Sequence, residues 1–140
     1  MQPIITESQI ADFLDTEFPQ LRGEFVLERL TPQGAVLRLR VSQKHLRPGG
    51  TVSGPAMFGL ADMAFYLALL ARIGPVALAV TTSAAIDFLR KPGAGADLLA
   101  EARLLKLGRT LAVGDVMICS EAQREPVAHA SLTYAIPPGI

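Results

Sequence analysis

Residues 53–71 read SGPAMFGLADMAFYLALLA, a nineteen-residue run that holds one charge. Ala56, Gly59, Ala61, Ala64, Ala68 and Ala71 are small; Met57, Phe58, Leu60, Phe65, Leu67, Leu69 and Leu70 are large and apolar. On a helix these residues fall on nearly every face, and such a helix has to be covered on more than one side. Pro55 suits the first turn, where its missing N–H is not needed. Ser53 or Gly54 is then the N-cap, and the helix runs from about Pro55 to Ala71 before Gly74-Pro75 stops it. The rest of the chain must therefore wrap around this segment. The one charge, Asp62, is either placed for chemistry or held as a local structural device. It lies beyond the first turn, so capping does not explain it.

The chain surrounding this helix suits one compact domain, residues 1–140, with 50% hydrophobic residues in 140. Lys plus Arg equals Asp plus Glu at 13 each, which leaves no basic surplus for nucleic acid. A low charged fraction, 19%, points to apolar surface covered in an oligomer. Cys119 is the only cysteine, so no disulfide can form within the chain and a reducing compartment is the default. The N-terminus lacks the basic-then-apolar order of a signal peptide. The apolar helix, broken by Asp62 and closed by Arg72, is short for a membrane span. These features predict a cytoplasmic protein with neither a membrane nor a nucleic-acid partner.

A short helix is predicted over residues 6–18, with Thr6 as cap, Gln9 completing a capping box and Pro19 as stop. Strands follow at Phe25 to Leu30 and from Ala35, where VLRLRV sets Leu37, Leu39 and Val41 on one face and Arg38 and Arg40 on a wet one. SQKHLRPGGTVSG is a glycine-rich loop without the spacing of a phosphate or dinucleotide site. After the helix, VALAVTTSAAIDFL, LLAEARLLKL, TLAVGDVMICSE and VAHASLTYAI read as strands in a meander or something close to it. The expected fold class is α+β: one long helix wrapped by a curved antiparallel sheet, its edges protected by a second copy.

Three stretches, RPGGTVSGPAMFGLADMAF, TTSAAIDFLRKPGAGADLLAEARLLKLGRTLAVGDVMI and PVAHASLTYAIP, resemble the hotdog-fold acyl-CoA thioesterases of the phenylacetate-degradation (PaaI-like) type. Their order and spacing cover about Ala35 to Pro137. The resemblance implies a homodimer with a continuous sheet, pairing into a homotetramer. It implies an acyl thioester at the dimer interface, polarised by a backbone amide at the helix start. A carboxylate from the other subunit's helix then serves as base or nucleophile. Carried over, the amide is that of Gly54 and the carboxylate is Asp62, eight residues on. A glycine N–H at a helix N-terminus is an unpaired donor suited to a developing oxyanion. A carboxylate can activate water or attack directly.

Around this pair the chain departs from the family. The usual His-Gly is Ser53-Gly54, the second glycine is Pro55, and Arg47 stands where an asparagine is common. Ser53 can offer one hydrogen bond, and Arg47 can hold the thioester oxygen or the pantetheine. Thr82 takes the place of a hydroxyl beside the carboxylate, or is ordinary strand packing. For coenzyme A the resemblance points to the Gly108-Arg109 turn with Arg90, Lys91 and Lys106 on its phosphates; the alternative is a hairpin turn and solvated strand ends. No cofactor is implied, coenzyme A being part of the substrate, and no metal ligands stand at a useful spacing. His45 reads as loop surface, His129 as a strand residue and Cys119 as a small buried hydrophobe. Met57, Phe58 and Phe65 are candidates for an acyl pocket or for plain core. Alternatives to hydrolysis are a non-catalytic acyl-CoA sensor or carrier partner, an enoyl-CoA hydratase and a structural oligomer.

Overall fold

In the computed structural model, which describes residues 2–138, the apolar run is helix α2, Gly54–Ile73. Ser53 is its N-cap and accepts a hydrogen bond from the Ala56 N–H at 3.2 Å. Ala61, Ala64, Ala68 and Ala71 are fully buried, and these short side chains let the helix lie close on the sheet. α2 is long and apolar enough to cross a membrane, but two thirds of the relevant window, 67%, is buried inside the protein. Its last turn is closed by Arg72, whose buried guanidinium donates to the carbonyls of Thr31, Gly34 and Ala68. Gly34 and Thr31 already bond each other across their turn, so Arg72 adds a second donor to each carbonyl and ties the end of α2 to the β1–β2 turn.

Helix α1, Glu7–Glu17, begins with the expected capping box: Gln9 N–H donates to Thr6 Oγ1 at 3.1 Å, and Thr6 N–H to Gln9 Oε1 at 2.8 Å. Its stripe buries Ile10 and Leu14. Six strands follow: β1 Phe25–Leu30, β2 Gly34–Leu39, β3 Val80–Phe88, β4 Leu98–Leu107, β5 Leu111–Ser120 and β6 Pro126–Ala135. They form one antiparallel sheet in the order β1-β2-β4-β5-β6-β3, with α2 packed on β2, β4 and β5. The expected helix wrapped by a curved sheet is what the chain forms.

Three details differ from the sequence reading. β3 does not precede β4 in the sheet; it lies beyond β6, so only β4, β5 and β6 form a meander. The crossing is made by the segment after β3, where Leu89 and Arg90 N–H both donate to the Val127 carbonyl. β3 also starts later than expected, because residues 76–79 close a turn after Gly74, which has φ +96°. The outer face of β2 is not simply wet: Arg38 binds Glu28, Asp97 and Glu121 at 2.8, 3.0 and 2.7 Å.

The two edges of the sheet are unlike. On β1, the Leu30 N–H is taken by Glu7 of α1 at 2.9 Å. Among the described residues β3 has no strand beyond it, and it exposes Val80 and Phe88. In the middle of the sheet, Gly114 lets the Phe65 ring of α2 settle on β5. A Cβ there would stand 2.1 Å from the Arg103 carbonyl oxygen and 2.5 Å from the Phe65 ring. Gly114→Ala is accordingly expected to cost about 3 kcal/mol or more, at the upper end for overpacking, measured by denaturant unfolding.

Candidate active site

Asp62 lies in the third turn of α2 and faces the start of β3 and the end of β6. Its Oδ1 accepts from the Thr81 hydroxyl at 2.6 Å and from the Tyr134 hydroxyl at 2.7 Å. Tyr134 also reaches the Asp62 backbone carbonyl at 3.1 Å. Thr81 and Tyr134 are register partners across β3 and β6, so their side chains share the inward face. Burial raises the Tyr134 phenol far above its ordinary range, and the Asp62 charge adds to this. Tyr134 therefore stays a donor, and Oδ1 is fixed by two hydroxyls. No described residue donates to Oδ2, which leaves that oxygen for a water or a substrate atom.

The threonine on Asp62 is Thr81, not Thr82. A bulge falls between Thr81 and Ser83, and Thr82 is the residue that it leaves without a register partner. The Thr82 hydroxyl turns to the Thr133 carbonyl at 3.3 Å. Tyr134 was not singled out from the sequence. Its signal was present, because it continues the inward phase of Ala128, Ala130 and Leu132, and a tyrosine in that phase has to find a partner for its hydroxyl. Tyr134→Phe should cost about 1.5–3 kcal/mol, as for a hydrogen bond to a charged group, and should depress kcat more than it raises KM. Thermal unfolding and steady-state kinetics on the same preparation check both.

Asp62 opens on a cavity of about 210 Å³ with Phe18, Met63, Tyr66 and Val80 among its walls. Gly54 lies elsewhere, in a cleft of about 480 Å³ with Arg47, Met57, Phe88, Arg90 and Lys91. Its N–H is one of the first-turn donors that a helix cannot use itself, and no described residue accepts from it. The glycine is close-fitted: a Cβ would come within 3.2 Å of the Phe88 ring. Eight residues of helix separate the two groups by about 12 Å, and among the described residues their cavities share no lining residue. One chain therefore sets an amide donor at one end of β3 and a carboxylate at the other.

Ser53 accepts from the Ala56 N–H as the helix cap, which leaves its proton and one lone pair to offer. Arg47 is exposed at the mouth of the Gly54 cleft. Arg90 also lines this cleft but is tied to Glu125 and to the Pro126 carbonyl at 2.8 and 2.6 Å. Lys106, Gly108 and Arg109 are not beside Arg90 and Lys91. They occupy the β4–β5 hairpin, where Ile136 N–H meets the Thr110 carbonyl, at the far end of the sheet. Of the acyl-pocket candidates, Met57 lines the Gly54 cleft, Phe65 is core and Phe58 is partly exposed.

His45, read as loop surface, is buried with 6% exposure. Its Nδ1 accepts from Ser42 N–H at 2.9 Å, and its Nε2 meets Glu24 Oε1 at 2.9 Å. Burial alone would raise the Glu24 carboxyl, yet His45 and Lys44 together hold it below the usual range. The His45 carbonyl accepts from Ser53 N–H at 2.8 Å, so buried His45 with its half-buried partner Glu24 anchors the loop that presents Gly54. His129 binds Asp115, which also takes Arg103, on the sheet face away from α2. Cys119 is half-buried and burial raises its thiol, so it is a poor nucleophile.

Residues 49–127 match the family described as the thioesterase superfamily. A protein of a Silicibacter species, named a thioesterase by inference, is 51% identical; the alignment covers 99% of this chain and 96% of that one, with TM-score 0.91. A mutant of the phenylacetic acid degradation protein PaaI from Thermus thermophilus is 33% identical over 85% of this chain and 99% of its own, with TM-score 0.73. A Streptococcus mutans protein solved with acetyl-CoA bound is 26% identical over 83% and 90%, with TM-score 0.72.

Proposed function

Because the chain belongs to the thioesterase superfamily and has its hotdog fold, we propose that it hydrolyses an acyl-CoA to the free acid and coenzyme A, with Asp62 as base and the Gly54 amide as oxyanion donor. The observation that carries this reading is the state of Asp62. It is a carboxylate among apolar walls, pinned through Oδ1 and open at Oδ2. A merely structural aspartate would have both oxygens satisfied or in bulk water.

The half-sites fit together if two copies pair along β3. Antiparallel pairing of this open edge about a two-fold axis sets the Val80 end of one strand beside the Phe88 end of the other. Phe88 stacks on Gly54, and Thr81 holds Asp62. Such a dimer brings Gly54 of one copy to Asp62 of the other, twice. It also draws the Gly108-Arg109 hairpin of one copy toward Arg90 and Lys91 of the other, where the coenzyme A phosphates would lie. The acetyl-CoA bound by the Streptococcus mutans relative supports this substrate class.

In the reaction the Gly54 N–H receives the thioester carbonyl oxygen. Asp62 Oδ2 takes a proton from water as the water oxygen bonds to the carbonyl carbon. Collapse of the tetrahedral adduct breaks the C–S bond, and the proton held by Asp62 passes to the departing sulfur. Water is consumed, one acid and one thiol are released, and no resident cofactor is called for.

The competing reading, a non-catalytic acyl-CoA binder, draws on the engagement of Ser53 as a cap and on Arg47 beside the amide. Free thiol released from a panel of acyl-CoAs separates the two. Saturable turnover is expected; saturable binding without turnover contradicts hydrolysis.

A further inference from the structure

We infer that Phe18 sets the length of acyl chain that the site accepts, an inference that rests on the acyl-CoA reading above. A second cavity, about 180 Å³, lies between α1 and β1 over an apolar floor of Leu14, Leu21, Phe25 and Leu27. Among the described residues, Phe18 is the one that lines both this cavity and the Asp62 cavity. Its ring meets Tyr66 edge-on, centroids 5.8 Å apart at 84°, and so stands as a partition. The position is fixed by the chain, because Phe18 is the C-cap of α1, its N–H donates to the Leu14 carbonyl at 2.9 Å, and Pro19 follows. Tyr66, on the other side of the contact, is held by its hydroxyl bond to the Ala77 carbonyl at 3.1 Å.

A thioester carbon placed at Asp62 Oδ2 sends its acyl group into the cavity that ends at this ring. A short or flat acyl group fits in front of Phe18. A longer one needs the space behind it, which is apolar along its floor and polar at its rim, with Glu7, Asp15 and Arg22. Removing the ring joins the two cavities without touching Asp62, Thr81, Tyr134 or Gly54. Hydrophobic pockets discriminate by methylene at roughly tenfold or more, so the effect is readable in kcat/KM.

The test compares the wild type with Phe18→Ala and with the milder Phe18→Leu across straight-chain thioesters from butanoyl- to dodecanoyl-CoA. Phe18→Ala should raise kcat/KM for the longest chains by about tenfold or more relative to butanoyl-CoA, with Phe18→Leu between it and the wild type. If Phe18→Ala does not fold, the Phe18→Leu profile decides. A uniform change across all lengths would mean a packing role only and would overturn the inference. If the wild type hydrolyses none of the thioesters, it is the hydrolytic reading that fails. Calorimetric binding of the same series then reads the length rule, and a variant profile identical to the wild type overturns it.

Discussion

Asp62→Asn is expected to lower kcat by about a thousandfold, within the usual range for loss of a general base, while acyl-CoA still binds. The substitution is close to isosteric. The amide oxygen can stay at the Oδ1 position and accept from Thr81 and Tyr134 as the carboxylate does. What is lost is the basic oxygen that faces the cavity, now an NH₂ group with no lone pair for a water proton. Stability should therefore change little, and KM should move far less than kcat, the pattern of an interaction made only in the transition state. A kcat within a few-fold of wild type, in a variant that folds normally, would contradict the role given to this carboxylate.

Much of this site was legible in the sequence. The core helix, its N-cap and the Gly54–Asp62 spacing follow from a proline, a glycine and one charge in an apolar run. The alternation in β4, β5 and β6 follows from strand periodicity. The position of β3 was not legible, because sheet order depends on the crossing loop rather than on any strand's own pattern. Thr81 was missed for its neighbour because a one-residue bulge changes which threonine faces inward. His45 lies in a polar glycine-rich loop, and only the partners Glu24 and Ser42, one of them 21 residues away, explain its burial. The separation of Gly54 from Asp62 was implicit in the helix itself, since eight residues of helix place two groups about 12 Å apart, too far to serve one carbonyl.

Gly54→Pro provides the second large effect. It deletes the N–H and adds a ring that presses on Phe88. Proline is tolerated at the first position of a helix, and Ser53 already has the extended backbone, φ −73° and ψ 155°, that a following proline requires. Loss of this donor should lower kcat by about a hundredfold to a thousandfold. Phe88, half exposed at 51%, has room to yield to the ring.

The most direct measurement mixes the two inactive variants. When equal amounts of Asp62→Asn and Gly54→Pro chains are unfolded together and refolded, or co-expressed, half of the proposed dimers would be mixed. Each mixed dimer holds one site with an intact Gly54 from one chain and an intact Asp62 from the other. The activity of the mixture should rise from nearly nothing to about a quarter of wild type, as two-fold symmetry with shared sites requires. Verified mixed dimers with no activity above that of the two parents would contradict a site built from Gly54 of one copy and Asp62 of the next.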